Sequence, residues 1–292
     1  MKIIIAKDMG FCFGVKRAIK IARDTRKKTD ENVWTLGSII HNPQVVEKLK
    51  GEGIVPANGL DEIDSGYVII RSHGACPEVL QEIRKRGFTV VDATCPLVKR
   101  AQERARKLSN EGYETFAIGD KEHPEIMGIV GQTEGRIQVI DTRCDWSIDE
   151  KEKVGLIAQT TQSLEILEKV IQKILPKVKE LRVFNTICDV TNRRQKEVKK
   201  LARGSDLMIV IGGRKSANTS RLASIAREEG CKTYHIEQAE ELKGEWFAPK
   251  SKVGVTAGAS TPDWIIKEVV SKLEQMDKKE EILHGRRIRS RD

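Results

Sequence analysis

Three short apolar runs in this chain each lead to a cysteine that opens a helical pattern, and this recurrence constrains the fold more than any other feature. Ile3-Ile4-Ile5-Ala6 leads to Gly10-Phe11-Cys12 and then Val15-Lys16-Arg17-Ala18-Ile19. Val90-Val91-Asp92-Ala93-Thr94 leads to Cys95 and then Leu97-Val98-Lys99-Arg100-Ala101. Val183-Phe184-Asn185-Thr186-Ile187 leads to Cys188, with Asn192-Arg193-Arg194-Gln195 beyond it. The downstream spacing repeats as well: Cys12 precedes Gly37 by 25 residues, and Cys95 and Cys188 precede Gly119 and Gly212 by 24. Each glycine closes a short apolar strand, and four residues after it stands His41, His123 or Ser216. Three such matches in register define an internal repeat of about 80–95 residues.

A further segment recurs in every repeat. Apolar strands at 67–70, 154–158 and 253–256 run into the turns Arg71-Ser72-His73-Gly74, Gln159-Thr160-Thr161 and Ala257-Gly258-Ala259-Ser260. Amphipathic helical patterns follow at 77–87, 163 to about 178, and 262 to about 276, and weaker strands fit at 53–55, 137–140 and 232–236. Near-continuous apolar strands alternating with helices are the pattern of a parallel sheet covered on both faces. The fold class expected is therefore α/β, in three pseudo-equivalent units with mainly parallel sheets and right-handed crossovers. The units run over 13–94, 95–187 and 188–276, the third completed by the N-terminal strand within 1–12, and a basic tail occupies 277–292. Ligands in such folds bind beyond the carboxyl ends of the strands, where all these cysteines and polar turns lie.

Charge and cysteine usage narrow the chemistry. The net charge of +9, of which residues 284–292 supply +3, favours acidic partners. Nucleic acid is not expected among them, because no binding motif occurs and aromatics make up only 4% of the chain. No window holds the roughly 18 uninterrupted apolar residues of a spanning helix. Lys7 and Asp8 interrupt the apolar start too early for a secretion signal, so no membrane role and a cytoplasmic location are expected. The six cysteines contain no Cys-x-x-Cys pair; Cys76, Cys144 and Cys231 lack the strand-to-helix setting and read as bystanders. For Cys12, Cys95 and Cys188, spacing alone leaves zinc, an iron–sulfur cluster and three buried thiols open. Helix N-termini with Lys16, Arg17, Lys99 and Arg100 nearby would favour the ligating thiolate.

The polar turns suggest a phosphate. His41, His73, His123, Ser216, Asn218 and Ser260 are neutral or titratable donors at strand-to-helix turns, where backbone N–H groups also point outward. Glu125, two residues after His123, is the candidate acid. A zinc hydrolase of phosphate esters and a basic regulatory protein with structural cysteines are the competing readings. Brown protein containing iron and sulfide after purification without oxygen would separate them.

Taken together, Gly10-Phe11-Cys12-Phe13-Gly14-Val15, His41-Asn42, Ser72-His73-Gly74, Asp92-Ala93-Thr94-Cys95-Pro96, His123-Pro124-Glu125, Gln159-Thr160-Thr161, Ile187-Cys188, Ser216-Ala217-Asn218 and Gly258-Ala259-Ser260 closely resemble one family. It is the iron–sulfur 4-hydroxy-3-methylbut-2-enyl diphosphate reductase family of the non-mevalonate isoprenoid pathway. The resemblance implies three α/β units around a central [4Fe–4S] cluster, one per chain, held by Cys12, Cys95 and Cys188. It implies that the diphosphate is held by His41, His73, Ser216, Asn218 and Ser260, with His123 also at the substrate. Thr160 and Glu125 would stand near the substrate hydroxyl, Glu125 supplying or relaying a proton. The implied reaction is a two-electron reductive dehydroxylation to isopentenyl and dimethylallyl diphosphate, with reduced ferredoxin or flavodoxin as donor. A monomer is expected. One departure is visible: many members carry a second Ser where this chain has Ala217, which puts only that side chain's role in the substrate site in doubt.

Overall fold

The computed structural model describes residues 1–247 and 251–289, with side chains through residue 278. The chain opens with strand β1 (Lys2–Ile5) and helix α1 (Phe13–Lys28), then runs through β2 (Val33–Leu36), α2 (Pro43–Gly51), β3 (Ile54–Ala57), β4 (Tyr67–Ile70), α3 (Pro77–Lys85) and β5 (Thr89–Asp92). A second round follows: α4 (Pro96–Asn110), β6 (Glu114–Ile118), α5 (Pro124–Gly131), β7 (Gln138–Ile140), β8 (Lys151–Ala158), α6 (Leu164–Ile174) and β9 (Val178–Phe184). The third comprises α7 (Asp189–Arg203), β10 (Leu207–Ile211), α8 (Ala217–Glu228), β11 (Lys232–Ile236), β12 (Lys252–Ala257) and α9 (Asp263–Arg289).

The described strand pairs are all parallel, and the three four-stranded sheets share one order: β3-β2-β4-β5, β7-β6-β8-β9 and β11-β10-β12-β1. The α/β class and its three parallel sheets are thus as the repeat implies. In the third sheet β1 takes the edge position that β5 and β9 take in the others, pairing Ile3 with Val253 and Ile5 with Val255. The chain divides into two compact units. Phe13–Asn192 carries the first two sheets; Met1–Cys12 with Arg193 onward carries the third.

Both faces of each central strand are covered, which is why these strands read as unbroken apolar runs. In β10, Leu207, Ile209 and Ile211 pack under Ile265, Val269 and Leu273 of α9. Met208 and Val210 face Val198 and Ala202 of α7 and Leu222, Ala223 and Ala226 of α8. In β6, Phe116 and Ile118 meet Leu167, Val170 and Ile174 of α6, while Ala117 faces Ala101, Ala105 and Leu108 of α4 and Ile126 of α5. Truncating a fully buried Ile in such a layer to Ala costs about 2–5 kcal/mol.

Helix starts place the polar side chains. Asn42, His123 and Ser216 are the N-caps of α2, α5 and α8, and each accepts a backbone N–H of its own first turn. Pro43 and Pro124 sit at the first helical position, where a missing N–H loses nothing. Two helices end elsewhere than their patterns suggest. The pattern from 163 to about 178 stops at Ile174, because Pro176 cannot continue the ladder, and the chain turns at Leu175–Lys177 into β9. The final helix does not end near 276 but runs to Arg289, with no Gly or Pro from Asp263 to Leu283. The Met1 ammonium pairs with Asp277 on it. Residues 290–292 of the expected tail lie outside the described residues.

Candidate functional site

The three singled-out cysteines occupy equivalent places in the three sheets. Each follows the edge strand, and each donates its backbone N–H to the turn beyond the neighbouring strand. Cys95 bonds Ser72 O at 3.0 Å, Cys188 bonds Thr160 O at 2.9 Å, and Cys12 bonds Ala259 O at 3.2 Å. All three are half-buried, outside any disulfide, and stand just before helix starts. Local contacts hold these loops. Buried Arg194 clamps the approach to Cys12, donating to Gly10 O at 2.8 Å and to Asp8 at 3.0 Å. Arg17 donates to Thr94 O at 3.0 Å, one residue before Cys95. Lys99, expected to attend Cys95, instead pairs with Asp92 at 2.5 Å. Of the other cysteines, Cys144 is exposed, Cys231 is buried against Ser205 O, and Cys76 caps α3.

His41, His73 and His123 come together in the unit of the first two sheets. His41 and His73 stack with ring centroids 4.5 Å apart, and the His123 ring stands edge-on to them at 5.6 and 5.2 Å. One nitrogen of each lies within 4.8 Å of the others, close enough to converge on one ion or one phosphate group. The His73 and His123 rings are uncharged at neutral pH. Burial pushes the His123 imidazole down to about 4, and the neighbouring His41 adds to the effect. Burial likewise holds His73 well below the usual range, assisted by His41, His123 and the Arg71 guanidinium. His123 Nδ1 accepts the Glu125 N–H at 3.1 Å, which leaves its proton on Nε2. His73 Nδ1 is buried with no hydrogen-bond partner among the described residues. A cluster of neutral imidazoles with unspent polar atoms suits a ligand rich in acceptors.

Glu125 is 1% exposed, and both hydrogen bonds of its carboxyl go to one residue. Oε1 accepts the Thr160 N–H at 2.6 Å and Oε2 accepts the Thr160 hydroxyl at 2.8 Å. Burial raises this carboxyl to about 7, with the two Thr160 bonds holding it from going higher. Because the Thr160 carbonyl also receives the Cys188 N–H, one turn joins the acid to a thiol-bearing loop. Gly119 makes room for this arrangement: a Cβ there would lie 2.5 Å from Ile126 and 2.8 Å from Gln159 Oε1.

The equivalent turns of the third sheet, in the other unit, carry hydroxyls and an amide. Ser216 Oγ accepts the Thr219 N–H at 3.3 Å, and the Ser260 hydroxyl donates to Ser216 Oγ at 3.4 Å. Asn218 is buried with neither amide atom hydrogen-bonded among the described residues, and the Thr219 hydroxyl is in the same state. Ala217 is the first residue of α8, so its N–H is one of the helix's outward donors. The structure thus gathers His41, His73, His123, Glu125 and Thr160 in one unit, and Ser216, Asn218 and Ser260 in the other. Residues the sequence left unmarked also stand here: Thr219, and Gln102 with an unpartnered Nε2. Thr219 directly follows the marked Asn218, the only signal that pointed to it.

Fold and site together define a class: a parallel α/β protein whose strand ends present thiols, neutral imidazoles and a buried acid. Within that class, the chain belongs to the LytB protein family, which matches residues 3–274. It is 50% identical over 280 residues to the 4-hydroxy-3-methylbut-2-enyl diphosphate reductase of Geobacter sulfurreducens, covering 96% of this chain and 99% of that one. The protein of the same name from Aquifex aeolicus is 49% identical over 278 residues, covering 94% and 96%. A solved structure described as (E)-4-hydroxy-3-methyl-but-2-enyl diphosphate reductase, the terminal enzyme of the non-mevalonate pathway, is 46% identical at a TM-score of 0.67. That match covers 94% of this chain and 99% of the other. The E-1-hydroxy-2-methyl-but-2-enyl-4-diphosphate reductase of Plasmodium falciparum, 24% identical, shares the fold at a TM-score of 0.84 over 92% of this chain and 87% of its own. Among the described residues no helix is long and apolar enough to cross a membrane.

Proposed function

We propose that this protein is an oxidoreductase that converts 4-hydroxy-3-methylbut-2-enyl diphosphate to isopentenyl and dimethylallyl diphosphate. The observation that carries this reading is the buried Glu125–Thr160 pair beside three clustered histidines, in a chain about half identical to named reductases along nearly its whole length. In the reaction a C–O bond breaks and a C–H bond forms. Two electrons and two protons enter; one proton leaves with the hydroxyl as water and the other stays on the allylic carbon.

Cys12, Cys95 and Cys188 are assigned to a [4Fe–4S] cluster. Three cysteines outside any disulfide, in equivalent loops, fit it, since thiolates are the usual ligands and a set of three would leave one iron open. When bound, such a cluster supplies electrons singly and a Lewis-acidic iron. The partition into units 13–94, 95–187 and 188–276, the last with 1–12, belongs to the same reading, as does a basic tail at 277–292. His41, His73, His123, Ser216, Asn218 and Ser260 bind the diphosphate, with the Ala217 N–H in place of a hydroxyl. Neutral imidazoles donate without the desolvation penalty of buried cations. Glu125, protonated below about 7, hands its proton toward the departing hydroxyl, and Thr160 holds the carboxyl in position. The enzyme works as a cytoplasmic monomer, receiving electrons from an acidic ferredoxin or flavodoxin. The test is anaerobic turnover of the hydroxylated diphosphate with a reduced one-electron donor, alongside iron and sulfide analysis of wild type and Cys95→Ser. Turnover with a brown, iron-containing wild type and a cluster-deficient variant is expected; colourless protein with stoichiometric zinc refutes the reading.

A further inference from the structure

Within the unit of the first two sheets lies a second cavity, of about 690 Å³, that shares no side chain with the histidine cluster or the Glu125–Thr160 pair. One wall comes from the ends of β2 and β4 and the start of α3, with Leu36, Ile70, Ala75 and Val79. The other comes from α5 and β7, with Met127, Val130, Ile137 and Val139. A cavity of this size and predominantly apolar lining falls in the range that holds small organic ligands.

Its charged groups are of one sign. Arg71 and Lys121 both line it, and no carboxylate does, in a chain where 43 of 292 residues are acidic. Neither side chain has a hydrogen-bond or ion-pair partner among the described residues. Arg71 is half-buried, following directly on β4, and burial pulls its guanidinium below its ordinary value. An unpaired, partly buried guanidinium is costly, and guanidinium geometry matches phosphate oxygens. Several exposed arginines of this protein are paired, Arg86 with Asp61 and Glu82, Arg143 with Asp120 and Asp141, and Arg214 with Glu237 and Glu241, whereas Arg71 is withdrawn from water without such a partner among the described residues. At the rim Met127 is 58% exposed, a large apolar side chain left in water beside a cationic hollow. Two unpaired positive charges on apolar walls call for a dianionic head on a hydrocarbon tail.

We propose that this cavity is a binding site for a long-chain phosphate ester, its phosphate between Arg71 and Lys121 and its hydrocarbon chain along Leu36, Val79, Met127 and Val139. The site is separate from the proposed diphosphate site and stands whether or not that assignment holds.

The test is calorimetric titration of the anaerobically purified protein with dodecyl phosphate below its micelle concentration, with inorganic diphosphate saturating any other anion site. Lys121→Met and Met127→Glu are the informative variants. Both residues are exposed, so folding is spared, and neither takes part in the proposed reaction. Arg71 is left unchanged because its charge also acts on His73 and His123. Dodecyl phosphate is expected to bind with diphosphate present, and at least about tenfold more tightly than dodecanol or inorganic phosphate. Each variant should weaken it by about tenfold or more, the loss of one charge-assisted contact or the gain of a like charge. Displacement by inorganic diphosphate, equal affinity for dodecanol, or wild-type affinity in both variants would overturn the proposal.

Discussion

Replacing Glu125 by Gln should remove one loss of stability that the protein suffers as pH rises. The carboxyl titrates near 4.5 in an unfolded chain and at about 7 in the folded one, so between those values the folded state holds the extra proton. Stability contributed by this group is present below about 4.5 and is lost as pH rises toward 7 and beyond. Integrating the linkage for that pair of values gives a loss of about 0.8 kcal/mol at pH 5 and about 3.3 kcal/mol at pH 8, a difference of about 2.5 kcal/mol. The amide variant has no such term. His123 works in the opposite direction, because its imidazole falls from 6.5 to about 4 on folding and adds stability as pH rises through that window. His73 shifts the same way. The wild-type profile therefore partly cancels, and the informative quantity is the difference between the two proteins. Urea melts of wild type and Glu125→Gln, run anaerobically at pH 5 and pH 8 and followed by far-UV circular dichroism, measure it directly. The variant should gain about 2–3 kcal/mol relative to wild type between the two pH values. A difference that stays within about 0.5 kcal/mol would mean that Glu125 is already ionised in the folded protein at pH 5, and the buried-acid argument would fail.

The same substitution should lower kcat by about 10²–10⁴ with little change in KM, and wild-type turnover should decline as pH rises through about 7 while the histidines stay neutral. Unchanged kinetics would remove Glu125 from the proton path. His73→Phe removes a neutral donor with a spare ring nitrogen and should raise KM for the diphosphate by about 10-fold to 100-fold. A KM equal to wild type would take His73 out of substrate binding. Gly258→Ala places a Cβ in overlap with the Thr219 hydroxyl and should destabilise by about 1–3 kcal/mol, a loss that Thr219→Ala reduces in the double variant. Strict additivity in thermal melts would show that the two residues do not share that space.

The division between what was legible and what was not follows the range of the interactions. The places of the strands along the chain were legible because each repeat writes its own punctuation: an apolar run, a glycine or cysteine at its end, and a capped helix start. β1 completing the third sheet follows from the same logic, since its run leads to Cys12 as β5 and β9 lead to their cysteines. The histidine cluster was only half legible. His41, His73 and His123 could be placed on turns at strand ends, but no spacing announces that turns from two different sheets put their rings within 6 Å of one another. Helix ends failed where a local stop competed with amphipathic periodicity, as at Pro176, or where no stop existed, as beyond Met276. Partner state was not legible at all. Lys99 looked like a neighbour of Cys95 in sequence, yet its ammonium belongs to Asp92. Arg71 looked like any strand-terminal arginine, and only the packed structure shows that no carboxylate among the described residues pairs with it. A charge acquires meaning from the partners that surround it. A repeat therefore locates the residues that recur in every unit, while those whose role lies in lacking a partner emerge only after folding.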